Sequence, residues 1–235
     1  MRTDGLAWLV SCVALGALWV LAASWRAEGG AARIAFRGLL GGLAALGLAS
    51  VGYGVVQLSG IDLRWEWIAR GAWPALGLAA VVGVVEEGAK LAGIVLAAPP
   101  ARHGRLSVLR VATSVAAVFA IAEAALVLRG SSWPVALSRA AFGPVAHGVL
   151  AAPFAVALAD ATGISRPRLT LRLAVAVALA ALLHGLGDWS VARPGWGRVG
   201  FAAALMAPTL WLYARARAPR LSTVRSAAGS ARHIP

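Results

Sequence analysis

Seven ionisable side chains stand inside long apolar stretches of this chain: Glu86, Glu87 and Lys90 close together, then Glu123, His147, His184 and Asp188. Such groups are costly in apolar surroundings, and where they are kept they mark pathways, relays or reaction centres. Their types are those of acid–base work. Glu86, with Glu87 as alternate, can take a proton from water. His147 and His184 can orient that water or stabilise an oxyanion, Asp188 can fix His184, and Glu123 can share a proton or orient a histidine. Read as ligands instead, His147 and His184 with a carboxylate from Glu86, Glu123 or Asp188 offer three donors and an open position for water, as in a catalytic zinc site. The chain contains no HExxH motif, and spacing leaves the metal-free and zinc-bound versions both open.

The intervals place these groups on shared faces. Glu86 and Lys90 are four residues apart, with the acid first, the favourable order for a helical ion pair, and Glu87 is three from Lys90 on the edge of that face. Lys90 is expected to neutralise one glutamate and so tune the site, because two adjacent buried carboxylates cannot cheaply both ionise. His184 and Asp188 are again four apart, and Gly185 and Gly187 between them leave room for a substrate backbone or another helix. Phe119 and Glu123 repeat the interval. Arg129, Arg139 and Asp160 fall at span ends and are expected only to snorkel to water, and His103 and His233 to be solvated.

The elements that must position them are membrane helices. With 60% hydrophobic residues, 13% charged residues and a mean hydropathy of +0.78 over 235 residues, the chain is too apolar for an ordinary soluble domain. Apolar blocks predict seven spans, at residues 5–23, 39–58, 72–98, 111–128, 135–159, 173–189 and 199–213. The expected fold is an all-α polytopic bundle of about seven transmembrane helices. One domain covers 1–213, with its motif-bearing core at 72–190, followed by a basic cytoplasmic tail at 214–235 that reads as disordered or surface-associated. Residues 5–23 read as a span and not a secretory leader, since the block is long and Ser24, Trp25 and Arg26 make a poor cleavage site. Counted from the cytoplasmic end of each span, Glu86, Glu123, His147 and His184 each fall about twelve residues in, roughly 18 Å deep. One cavity near mid-membrane accounts for that coincidence.

Orientation follows from arginine placement. The loops and tail holding Arg26, Arg33, Arg37, Arg102, Arg105, Arg110, Arg166, Arg168, Arg172, Arg215, Arg217, Arg220, Arg225 and Arg232 alternate with poorer ones holding Arg2, Arg64, Arg70, Arg129, Arg139, Arg193 and Arg198. The richer set predicts a cytoplasmic C-terminus and an outer N-terminus. Trp8, Trp65, Trp67, Trp73, Trp133, Trp189 and Trp196 gather near the opposite ends, as interfacial indoles do. The net charge of +13 is therefore assigned to orientation, and no nucleic-acid partner is expected, because the arginines form no continuous basic face. The single cysteine, Cys12, excludes a disulfide framework.

Four motifs now stand in order on consecutive spans: EEGAK at Glu86 to Lys90, FAIAE at Phe119 to Glu123, GPVAHG with His147, and HGLGD at His184 to Asp188. This series resembles the PrsW family of intramembrane proteases, distantly similar to the CAAX-processing and bacteriocin-processing membrane proteases. In that broader group an EE pair, an aromatic-xxx-acceptor motif and later histidines form the core. Glu123 stands where the CAAX-type enzymes carry histidine, which favours the PrsW branch. The resemblance implies cleavage of a membrane-bound protein, such as an anti-sigma factor; the expected location is a bacterial inner membrane. Two rivals from other classes are a proton- or ion-coupled transporter, with the same residues as a relay, and a non-catalytic scaffold of the same fold. The matched broken helices of many transporters are absent from the sequence pattern.

Overall fold

A computed structural model of the chain describes residues 30–63, 67–68, 73–99, 103–127, 133–191 and 197–217. The expected first span at 5–23, Cys12, Trp8, Trp65, Trp196 and the tail from 218 lie outside the described residues. Those described form helices α1 (Ala31–Leu58), α2 (Trp73–Ala97), α3 (Arg105–Val127), α4 (Trp133–Ala159), α5 (Arg166–Val191) and α6 (Gly197–Arg217), with no strand among them. At 21 to 28 residues each, they are about 31 to 42 Å long. Four carry a window apolar enough to cross a membrane, namely α1, α3, the stretch Ala141–Ala159 of α4, and α5. In α2 the three charges Glu86, Glu87 and Lys90 interrupt the apolar run, and in α6 the apolar part, Val199–Leu212, is shorter. The fold is all-helical and fits a multi-pass membrane protein.

Burial runs opposite to that of a soluble domain. Glu86, Glu87, Lys90, His147 and His184 are buried, while Leu171, Val175, Leu179 and Leu182 make an exposed stripe along α5 and Phe36, Leu40, Leu43, Val51 and Val55 are exposed on α1. Apolar surface of that extent suits lipid.

The helices extend past the expected spans at the arginine-bearing end. α1 begins at Ala31 and not at 39, α3 at Arg105 and not at 111, and α5 at Arg166 and not at 173, while α6 continues to Arg217, so the start of the expected tail is helical. Arginine is a good helix former, and its long stem lets the helix emerge from lipid with its charge already in water. The Arg166 to Arg168 segment opens α5, with Pro167 in the first turn, where its missing N–H costs nothing.

Small residues set the crossings. Gly41 of α1 lies against Gly93 of α2, where a Cβ on Gly41 would stand 2.8 Å from the Gly93 carbonyl oxygen. Likewise α2 and α5 cross backbone to backbone: a Cβ on Gly185 would be 2.7 Å from the Ala79 carbonyl oxygen, and one on Gly83 would collide with that of Ala181. Of the two uses open to Gly185, admitting another helix is therefore the one observed. α3 packs on α1 and α4, and α5 on α2, α4 and α6.

Two expectations about the arginine-rich end are corrected. Asp160 is clamped between helices: Arg105 Nε donates to its Oδ1 at 2.7 Å, and Arg215 donates to Oδ2, tying α3 and α6 to the end of α4. Burial alone would push the Asp160 carboxyl up, but the two guanidiniums hold it below its usual range. His103, expected to be solvated, is partly buried, contacts Arg37 through Nε2 and has Nδ1 at 3.0 Å from the Pro99 carbonyl. Both corrections have one cause: parallel helix ends hold charges within reach, so they pair with one another as well as with water.

Candidate functional site

The α2–α5 crossing decides the site. Gly83 lets the two backbones touch, Glu87 sits one turn further along α2, and His184 immediately precedes Gly185 on α5. The result is a 2.6 Å contact between His184 Nδ1 and Glu87 Oε1, in which the imidazole N–H donates to the carboxylate. His184 Nε2 is thereby turned toward Glu86 Oε2 and Asp188 Oδ2, each 3.5 Å away.

Lys90, fully buried, lies in the middle of the cluster. Its ammonium donates to Glu87 Oε1 and to His147 Nδ1, both at 2.7 Å, lies 3.6 Å from Glu86 Oε2, and sits 4.6 Å from the centre of the Phe119 ring. It thus meets both glutamates and a histidine, more than the neutralisation of one acid expected from spacing. Because an ammonium can only donate, His147 Nδ1 accepts, and the imidazole proton belongs on Nε2, 3.2 Å from Glu123 Oε2. The rings of His147 and His184 meet edge to face with centroids 5.3 Å apart. Pro144, one turn before His147, lacks an N–H and leaves a helical bond of α4 unmade, so the helix is deformable there.

All seven residues singled out from sequence, Glu86, Glu87, Lys90, Glu123, His147, His184 and Asp188, come together in this one contact network. Two further members were not anticipated. Tyr53 of α1, a helix without any motif, donates its phenol to Glu86 Oε1 at 2.6 Å. Its signal was a phenol inside an apolar span, since a buried tyrosine hydroxyl seeks a partner. Arg139, expected only to snorkel, lies 3.6 Å from Glu123 Oε1 through Nη1. A guanidinium two turns from His147 on α4 carried no readable partner in sequence, because the partner is on α3.

A cavity of about 420 Å³ adjoins the cluster between α3, α4, α5 and α6. Its floor is polar, with Glu123, Arg139, His147, His184 and Asp188; its walls are apolar, with Phe142, Leu150, Phe201 and Leu205. Glu86, Glu87 and Lys90 lie one layer beneath that floor, at 4%, 0% and 0% exposure. Glu86 Oε2 and Glu87 Oε2 are buried without a hydrogen bond from the protein. Glu86, His147 and His184 each present one ligand atom within 4.8 Å of the others, so this group could hold a metal ion. Glu123 and Asp188, also candidate ligands from sequence, are not in that group. A larger cleft of about 1040 Å³ lies toward the arginine-rich end, lined by Arg105, Thr113, Gly148, Asp160 and Arg215 among others.

Comparison with known proteins returns nothing: no family model, curated protein or solved structure matches this chain.

Proposed function

We propose that this chain is an intramembrane protease of the PrsW kind, which hydrolyses a peptide bond of a membrane-bound protein. The observation that carries this reading is Glu86 Oε2. It is buried, accepts no hydrogen bond from the protein, and lies within 3.6 Å of both the His184 imidazole and the Lys90 ammonium. Tyr53 holds the other carboxylate oxygen, so Oε2 is the one turned toward the imidazoles and the cavity floor. A water bound there gives its proton to Glu86 as its oxygen attacks the substrate carbonyl carbon in the cavity. The oxyanion that forms accepts a hydrogen bond from the Nε2–H of His147, while His184, whose Nδ1–H stays on Glu87 Oε1, presents Nε2 as an acceptor that orients the water. When the C–N bond breaks, the proton taken by Glu86 passes to the leaving amine, and a carboxylic acid and an amine are released. Lys90 supplies positive charge that two buried carboxylates require.

A second version, with zinc, is favoured by one observation. A carboxylate on Nδ1 of a histidine, as Glu87 is on His184, is the usual outer partner of a metal-bound imidazole. Zinc on Glu86, His147 and His184 would supply the acidified water. Against it, Lys90 already donates to His147 Nδ1 and stands beside Glu86, so a second cation would meet the first. The metal-free version is therefore preferred. Metal analysis of protein purified without chelator, with activity measured after chelation, separates the two: bound zinc at one equivalent and loss of cleavage on chelation would reverse the preference.

In this reading the chain crosses a bacterial inner membrane seven times, with 5–23 as the first span, the N-terminus outside and the C-terminus in the cytoplasm, and no nucleic-acid partner. Reporter fusions at each loop test that topology. The activity is tested by comparing membrane-protein fragments in cells carrying wild type and Glu86→Gln. Loss of the base should slow cleavage by about a hundredfold or more. Fragments unchanged by Glu86→Gln would end the assignment, and their absence in both strains would favour transport or scaffolding.

A further inference from the structure

The larger cleft, of about 1040 Å³, shares no lining residue with the cavity beside the cluster and has no role in the hydrolytic reading. Its walls are α3 and α4, and α6 closes only the arginine-bearing end. Both α3 and α6 pack on α4 but, among the described residues, not on one another. At the mouth Arg105 and Arg215 share the single carboxylate of Asp160, which leaves one net positive charge there. Each guanidinium carries five N–H groups and is about half exposed, so donors remain after Asp160 is served. Beyond the mouth the lining turns apolar, with Leu106, Leu109 and Ala112 on α3 and Ala151, Ala155 and Val156 on α4. Small residues keep it open: a Cβ on Gly148 would meet nothing within 4 Å.

Length and charge together restrict what occupies this space. From Asp160 back to Gly148 on α4 is twelve residues, about 18 Å, and from Arg105 to Thr113 on α3 is eight residues, about 12 Å. One leaflet of hydrocarbon is about 15 Å deep, half of a core of about 30 Å. The cleft thus has the reach of a single lipid tail, with its charge where the headgroup of that tail would stand. Water gains little there, because the apolar walls offer it no hydrogen bond. A zwitterionic headgroup brings an ammonium that the positive mouth repels while it attracts the phosphate. An anionic headgroup brings phosphate oxygens without that opposing charge, and guanidiniums hold phosphate through paired N–H bonds. We propose that the cleft between α3 and α4 binds one anionic phospholipid, with its phosphate on Arg105 and Arg215 and an acyl chain lying along Gly148, Ala152 and Ala155. This goes beyond the hydrolytic reading and does not depend on it; it rests on the chain lying in a membrane.

The test uses the full chain in a neutral detergent, titrated with dioleoyl phosphatidylglycerol or dioleoyl phosphatidylcholine, with bound lipid counted by native mass spectrometry. Wild type should bind one phosphatidylglycerol about tenfold more tightly than phosphatidylcholine, the difference that a charge-assisted hydrogen bond makes. Arg105→Gln with Arg215→Gln should erase that preference. Arg166→Gln with Arg168→Gln removes the same charge from exposed positions at the same end but outside the cleft, and should keep it. Because the first pair also breaks the clamp on Asp160, Ala152→Phe supplies a second reading. It leaves both arginines in place and fills the cleft, so both lipids should bind about tenfold more weakly. Equal affinity of wild type for the two lipids, loss of the preference in the Arg166 and Arg168 variant, or unchanged binding in Ala152→Phe overturns the site. So does glycerol phosphate that competes as well as the intact lipid, which marks a site for a soluble anion, or a stable dimer that takes up neither lipid, which puts a second copy in the cleft.

Discussion

Glu86 is held on one side by a phenol and on the other by charges, and each arrangement can be removed alone. Tyr53→Phe deletes one hydrogen bond to the carboxylate while keeping the ring that packs with Ile68, Ala79 and Val82. The expected result is a kcat lowered about tenfold with KM little changed, since a charge-assisted bond is worth about 1.5–3 kcal/mol and the substrate does not meet the tyrosine. Steady-state kinetics on a cleaved peptide checks it. Lys90→Met leaves two buried glutamates without their ammonium. Loss of one partner from a buried pair costs about 3–5 kcal/mol, so this variant should unfold at markedly lower temperature or fail to accumulate. A thermal midpoint in detergent equal to wild type would show that the charge is dispensable. The acids and histidines themselves were readable from sequence because ionisable residues in apolar runs are rare and conspicuous. Tyr53 was not, because a tyrosine in a span is common and only its distance from Glu86 gives it a role. Arg139 escaped for the opposite reason, since a span-end arginine has water as a sufficient partner until another helix brings it an acid.

Among the elements, the contact of α2 with α5 does most to assemble the site. Gly83 and Gly185 lie where each helix meets the other's backbone, and Glu87 and His184 stand within a turn of that contact. Gly185→Ala must push the helices apart by a substantial fraction of an ångström, because the obstacle is backbone and cannot rotate away. The 2.6 Å bond between His184 and Glu87 would lengthen with it. A misplacement of about 1 Å costs on the order of a hundredfold in rate, so Gly185→Ala should abolish most cleavage while the protein still reaches the membrane. Gly148→Ala, with open space around its position, should be tolerated. Kinetics and membrane yield of the two variants, side by side, check the argument. Apolar blocks were enough to predict the six described helices, the seventh expected span at 5–23 lying outside the described residues. The starts of α1, α3 and α5 were misjudged by about two turns at the arginine-bearing ends, where hydropathy falls before helicity does.

At the scale of the molecule, two polar groupings among the described residues each join several helices, the buried cluster and the clamp of Arg105 and Arg215 on Asp160. The clamp joins three helices, α3, α4 and α6, all of which also border the cavity beside the cluster. The Asp160 carboxyl is held below its ordinary range, so the stabilisation it gives is present above the unfolded value of about 4 and is lost as pH falls through the lower folded value. Acidification should therefore lower the thermal midpoint of wild type more than that of Asp160→Asn. The difference should correspond to about 1 kcal/mol or less, because the pair is largely exposed; parallel melting curves at neutral and acid pH would expose an inert clamp. By itself the sequence determined that the chain is a helix bundle apolar enough to suit a membrane and which ionisable residues are out of place in it. Both follow from hydropathy and periodicity, which are properties of neighbours along the chain. Which nitrogen of His184 faces Glu87, that Lys90 serves three partners, that α1 reaches the cluster through Tyr53 and that a cavity lies beside it were decided only in three dimensions. Each depends on the crossing of helices far apart in sequence, and crossings are set by backbone contact at small residues that hydropathy does not register.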